Sequence, residues 1–275
     1  MIKGKFPNDK FEQLETPFYY YDMELLRKTL IAITKETENK PFHVHYALKA
    51  NFNPIILKEI ASFGFGADCV SGNEILRAIE CGFDPSKIAF AGVGKTDKEI
   101  NIGLDNNIFC FNVESIPEIE VINKLAEKKG KIASVALRIN PNVDARTHKY
   151  ITTGLYENKF GINEQDLPNT IQTVKSSPNI KLIGIHFHIG SQITDLTSFE
   201  DLCVKVKSIR NWFKQEGIDL PVLNVGGGLG INYQHPNHFP MADFESYFRL
   251  FEKYLDLWEN QTLHFELGRS VVAPC

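Results

Sequence analysis

No apolar run in this 275-residue chain approaches the ~18 residues that a membrane-crossing helix needs. Cysteine is scarce. The five present (Cys69, Cys81, Cys110, Cys203 and Cys275) form no CxxC pair and no regular spacing. That speaks against a disulfide framework or a thiolate zinc site, and a reducing cytoplasm is the expected location. Charge of one sign is also lacking: 30 basic against 34 acidic side chains leave a net charge of −4. No basic surplus marks a nucleic-acid partner, so neither nucleic acid nor membrane is expected as a partner. The polar start, MIKGKFPNDKFEQ, lacks the apolar core of a secretory signal. What is present is ordinary globular composition, 43% hydrophobic and 23% charged, enough for two average domains or one large α/β barrel.

Short β-branched or aromatic runs read as buried strands at HVHYALK (43–49), GADCV (66–70), IAFAG (88–92), IFCFNV (108–113), ASVALRIN (133–140), LIGIHFHIG (182–190), PVLNVGGG (221–228) and LHFELG (263–268). Helical patterns lie between them. Asn53-Pro54 reads as an N-cap before a first-turn proline, and Gly64, Gly130 and Gly217 read as stops. Ser71 with Glu74, Thr96 with Glu99, Ser115 with Glu118 and Thr197 with Glu200 match the capping-box spacing. A further helix, from about Met23 to Glu36, precedes the first strand. Eight alternating strands and helices predict a (β/α)8 TIM barrel; the competing open doubly wound sheet lacks a GxGxxG after its first strand. The stretch from Pro141 to Gly161 is too long for a simple connection and reads as a functional loop. Residues 15–22, ETPFYYYD, read as a short strand that belongs to something other than the barrel.

In such a barrel, chemistry sits at the C-terminal ends of the strands. Those ends carry Lys49, Asp68, Asn112, Arg138, His188, Gly226 to Gly228, and Glu266 with Arg269. A lysine closing an inner strand is costly to bury without a purpose, and desolvation makes it a Schiff-base nucleophile. The glycine run after strand seven suits an anion, since barrel phosphate sites use the loops after strands seven and eight; Ser191 adds a hydroxyl. His186 and His188 share one strand face, and His188 is placed to lie on an aromatic ring. Glu266 suits a protonated ring nitrogen, and Arg269 suits a carboxylate or phosphate. Together these are the parts that hold pyridoxal 5′-phosphate (PLP). A metallohydrolase would instead use His43-Val44-His45, but His45 lies roughly 13 Å down the strand from Lys49 at ~3.3 Å per residue. No metal is therefore expected.

The motifs YALKAN (46–51), GADCVSGNE (66–74), ENKFGI (157–162), HFHIGSQ (186–192), NVGGGLG (224–230) and ELGRS (266–270) resemble the alanine-racemase-type barrel of the PLP-dependent group IV amino-acid decarboxylases. Within that family, RINPNVDARTHKYITTGLYENKFGI resembles the diaminopimelate decarboxylases more than those acting on ornithine, arginine or carboxynorspermidine. The resemblance implies decarboxylation of meso-2,6-diaminopimelate to L-lysine and CO2, the last step of lysine biosynthesis. It implies that Lys49 carries the cofactor, that His188 stacks on its ring, and that Glu266 partners the ring nitrogen. Asp68 and Glu74 match acidic positions near the lysine, and Arg138 matches an arginine close to the cofactor. Ser191, Gly226, Gly227 and Gly228 match the phosphate cradle. Arg269 matches an arginine for phosphate or substrate carboxylate.

Two departures stand out. Leu267 replaces the proline of the family's EPGR motif, with little expected consequence. The family also continues into a β-domain that supplies a CESGD-like cysteine, a tyrosine and much of a homodimer contact. No such motif occurs here, and the neighbours of Cys275 do not match it. The expected organisation is a segment over 1–20 that would join that β-domain, a PLP-binding barrel over 21–270, and the start of a crossover at 271–275. The chain alone is then expected to bind PLP weakly and to turn over poorly. The alternatives are a non-catalytic PLP-binding barrel and a decarboxylase of another basic amino acid.

Overall fold

A computed structural model describes residues 6–143 and 160–275. Eight strands, β1 (Phe42–Ala47), β2 (Gly66–Cys69), β3 (Ile88–Phe90), β4 (Cys110–Val113), β5 (Ala133–Arg138), β6 (Ile180–His186), β7 (Val222–Asn224) and β8 (Thr262–Leu267), close into one barrel. Every neighbouring pair is parallel, and β8 returns to β1. Helices follow the strands in turn: α3 (Pro54–Ser62), α4 (Gly72–Glu80), α5 (Asp97–Asp105), α6 (Ile116–Lys128), α7 (Leu167–Lys175), α8 (Thr197–Gln215) and α9 (Phe244–Tyr254), with a short α10 (Arg269–Val272) after β8. The helix ahead of β1, α2 (Met23–Thr37), packs against both α9 and α3 and so completes the ring. A four-residue α1 (Asn8–Phe11) lies before it.

The local signals act as their chemistry dictates at most boundaries. Asn53 accepts from the Ile55 amide with Pro54 in the first turn of α3. Thr96 and Glu99 form a reciprocal capping box at α5. Ser71 and Ser115 each accept from the amide three residues on, while the paired Glu74 and Glu118 carboxylates cap Val70 and Glu114 instead. At α8 the expectation fails. Thr197 is the first helical residue, and Asp195 accepts from both its amide and its hydroxyl. An aspartate two residues upstream competes better for those donors than Glu200 does.

Most strands end earlier than their apolar runs. Lys49 sits in a 3-10 turn over Leu48–Ala50, and His188 lies two residues past β6. The runs stay buried beyond the last ladder bond because the helices and loops cover them, so hydrophobicity outlasts pairing. Pro17 to Tyr21 forms no strand; Phe18 and Tyr20 pack on Phe11 instead, and Tyr19 is exposed. The expected functional loop, Pro141 to Gly161, lies largely outside the described residues, as does part of ENKFGI.

The register orders the barrel interior. Asp68 pairs across Ala89 to Cys110, Asn112 across Ala136 to Gly184, His186 across Asn224 to His264, and Glu266 across His45 to Gly66. Each step from one even strand to the next climbs two residues. Asp68, Asn112, His186 and Glu266 therefore lie at one level, as a four-residue layer from alternate strands. Below them come His45, Ala89, Ala136 and Asn224, then Gly66, Cys110, Gly184 and His264. Where many barrels fill these layers with Val, Ile and Leu, this one has an all-polar top layer and, below it, histidines and an asparagine among Gly, Ala and Cys. The apolar core lies instead between sheet and helices, with Phe265 at the centre of a group formed with Phe42, Tyr247, Phe248 and Phe251.

Candidate active site

Two adjoining cavities open at the C-terminal end of the barrel and share Lys49, His188 and Glu266 in their walls. The larger, about 510 Å³, also takes in Ser191, Gly228 and Arg269. The smaller, about 270 Å³, takes in Arg138, Glu114 and His186. These wall residues come from the units of β1, β4, β5, β6, β7 and β8, so only a closed barrel brings them together.

Lys49 Nζ is 3.2 Å from Asp68 Oδ2; the lysine is half-exposed and the aspartate wholly buried. The Asp68 charge raises the lysine above its ordinary value, against the opposing effect of burial. Burial and the Glu266 charge push the Asp68 carboxyl up, while Lys49 pulls it down. Glu266 is bonded by three side chains, Asn112, His186 and Asn224. Burial would raise its carboxyl, but His186 and Lys49 together hold it well below the ordinary range. Burial, with Lys49 and Arg138 nearby, keeps the His188 imidazole well below its usual value, hence neutral.

Arg138 donates to Glu114 at 2.8 Å, and Glu114 also accepts from the Gly92 amide. Arg269 begins α10 and donates to the Tyr233 hydroxyl at 2.6 Å, while its Nε is buried without a partner. Leu267, where the family has proline, is an ordinary member of β8. Gly226 has φ +69°, and a Cβ there would fall on the Phe187 carbonyl; a Cβ at Gly227 would fall on the Glu266 carbonyl. These two glycines let the loop press against β6 and β8. Gly228 reaches the cavity wall.

Glu74 stands apart. Its carboxylate accepts from the Val70 amide at 2.7 Å, at the end of β2, and it lies in neither cavity wall. His43 and His45 lie at the opposite end of the barrel, around a separate cavity of about 460 Å³. There His45 Nε2 meets His264 Nδ1 at 2.8 Å, and His45 Nδ1 donates to the Lys87 carbonyl at 3.0 Å. Sequence reasoning passed over Glu114, Asn224 and Tyr233. Glu114 follows β4 directly and Asn224 closes β7, so both were within reach of the strand-end rule; nothing local marks Tyr233.

The donor set suits PLP. An amine stands beside a carboxylate that can take its proton, a buried anion faces the same cavity, and an arginine nitrogen lacks a partner there. A model of the pyridoxal-binding domain of the pyridoxal-dependent decarboxylases matches residues 24–273. The chain is thus the cofactor-binding barrel of a PLP-dependent decarboxylase. It is 56% identical, over its whole length, to the diaminopimelate decarboxylase of Bacteroides thetaiotaomicron, and covers 71% of that relative. Among solved structures, the diaminopimelate decarboxylase of Helicobacter pylori complexed with L-lysine superposes with a TM-score of 0.90 at 38% identity, with 97% of this chain and 66% of that one covered. The diaminopimelate decarboxylase from m. jannaschi superposes with a TM-score of 0.86 at 37% identity, with 97% of this chain and 64% of that one covered. The chain belongs to the diaminopimelate decarboxylase family, and spans about two thirds of the length of these relatives. Among the described residues, no helix is long and apolar enough to cross a membrane.

Proposed function

We propose that this chain carries the cofactor-binding half of an enzyme that converts meso-2,6-diaminopimelate to L-lysine and CO2, in the cytoplasm, as a homodimer with no nucleic-acid partner. The barrel proper spans 21–270, with 1–20 and 271–275 serving the connection to a further domain. The convergence of Lys49, His188, Glu266 and Arg269 on shared cavities, in a chain so similar to named diaminopimelate decarboxylases, carries this reading.

Bound PLP supplies a sink for the electrons left when the bond between Cα and the carboxylate breaks. Lys49 would hold the cofactor through its amine, and Asp68 Oδ2, 3.2 Å away and raised by burial, would accept the ammonium proton. Glu266, held as an anion, keeps a proton on the pyridine nitrogen. Neutral His188, in the wall of both cavities, would pack on the cofactor ring without adding charge to it. Ser191, the Gly226 to Gly228 loop and Arg269 take the phosphate, and Arg269 is oriented by Tyr233. Arg138, fixed by Glu114, faces the smaller cavity, where it attracts an anionic group of the substrate. Glu74 acts at one remove, by fixing the end of β2.

The test is CO2 release from meso-2,6-diaminopimelate by the PLP-loaded chain, alone and fused to the remainder of the Bacteroides thetaiotaomicron relative. Turnover by the fusion, with little by the chain alone, is expected. A fusion that binds PLP yet releases no CO2 from any basic amino acid would favour the non-catalytic barrel.

A further inference from the structure

Glu266 makes more bonds than a ring-nitrogen partner needs. Oε1 accepts from Asn112 Nδ2 at 3.1 Å and from Asn224 Nδ2 at 2.8 Å, and Oε2 lies 3.0 Å from His186 Nε2. The amides cannot be turned around. Asn224 Oδ1 accepts from the Gly226 amide at 2.8 Å, and Asn112 Oδ1 faces the Cys110 thiol at 3.6 Å, so each Nδ2 is committed to the carboxylate. His186 must donate through Nε2, because an ionised carboxylate only accepts. Its Nδ1 is buried without a partner, so nothing else holds the ring. A carboxylate has about four acceptor directions. Three are taken, two on Oε1 and one on Oε2; one remains on Oε2, and Glu266 lines the cavity.

We propose that His186, with Asn112 and Asn224, is the positioning set for Glu266: the asparagines fix the carboxylate plane, and His186 sets how strongly the remaining Oε2 direction accepts a proton-bearing nitrogen. The two asparagines saturate Oε1, so the anion cannot rotate away. His186 shares Oε2, the one oxygen with an acceptor direction left, which makes it the group that tunes any further contact. Asn224 also joins Glu266 to the first glycine of the phosphate-side loop, so one residue registers both ends of the bound ring. The role of Glu266 toward a pyridine nitrogen is the reading argued above, and this inference rests on it.

The test loads the chain with PLP labelled with nitrogen-15 in the ring and compares wild type with His186→Gln, His186→Asn and His186→Leu. Glutamine presents its amide where Nε2 stands, whereas the asparagine side chain is too short to reach Glu266. Wild type and His186→Gln should show a protonated ring nitrogen. His186→Asn and His186→Leu should move the signal toward unprotonated pyridine and weaken PLP binding about tenfold, the scale of one hydrogen bond to a charged group. If His186→Leu does not fold, the two polar variants decide the matter alone. A wild-type signal in His186→Asn overturns the proposal. Borohydride reduction separates the two layers of the argument: no adduct on Lys49 in wild type overturns the PLP reading itself, whereas an adduct with an unmoved ring nitrogen overturns only the role of His186.

Discussion

Lys49 Nζ stands 3.2 Å from Asp68 Oδ2, a half-exposed cation over a wholly buried anion. The Asp68 charge is the main reason the lysine holds its proton more tightly than usual. Asp68→Asn should therefore lower the pH at which the Lys49 amine becomes free. Borohydride trapping of PLP across a pH series measures this: the midpoint of adduct formation should move to lower pH, and Lys49→Ala should give no adduct at that position. An unmoved midpoint would show that the pairing does not govern the amine.

Arg138 and Glu114 form the second ion pair at the mouth, 2.8 Å apart and nearly buried. Removing one partner leaves the other charge without compensation, at a cost of about 3–5 kcal/mol. Arg138→Leu should lower the denaturant midpoint accordingly. The double variant Arg138→Leu with Glu114→Leu should recover much of that loss. Additive losses in this cycle would mean the two charges are independent.

Gly227 permits no side chain, since its Cβ would fall on the Glu266 backbone carbonyl. Gly227→Ala should push the loop off β8, lower the melting temperature and weaken PLP binding. A Gly82→Ala control, where φ is +97° but the surroundings are open, should lower stability without changing PLP affinity. Calorimetry with a PLP titration distinguishes the two.

The floor of the barrel predicts a pH response of its own. Burial lowers His45 from 6.5 to about 4, and also holds His264 well below its ordinary value. Below 6.5 the unfolded chain takes up protons that folded His45 refuses, so stability present above that pH is lost as pH falls toward about 4. For His45 alone the lowering amounts to about 3 kcal/mol. Denaturant midpoints measured from pH 7 to pH 4 should fall steeply in the wild type and less steeply in His45→Gln. Equal slopes would show that His45 titrates normally.

The architecture was legible because each βα unit carries its own punctuation, and the resemblance of six motifs supplied the family. Lys49, His188, Ser191, Glu266 and Arg269 could be placed at the mouth from their position after apolar runs. Glu74 could not be told from a wall residue, because its capping of Val70 depends on how α4 meets β2. The roles of Asn224 and Tyr233 were missed for a related reason: their partners, Glu266 and Arg269, lie 42 and 36 residues away, and no local pattern encodes such a bond. The capping box expected at Thr197 failed because Asp195 offers a nearer acceptor.

The four-membered layer of Asp68, Asn112, His186 and Glu266 also bears on how the chain reaches its native state. Its hydrogen bonds span 154 residues between Asn112 and Glu266 and 80 between His186 and Glu266, and no hairpin or single βα unit contains any of them. Such contacts form only when β8 docks between β7 and β1, after the larger loop-closure entropy has been met. Substitutions in the layer should therefore accelerate unfolding while leaving the refolding limb of a chevron nearly unchanged, whereas changes at the caps of α3 or α5 are free to act on both limbs. The residues that hold the reactive centre thus double as the latch of the closed barrel, and inactivation at that latch is governed by an escape rate rather than by how fast the chain folds.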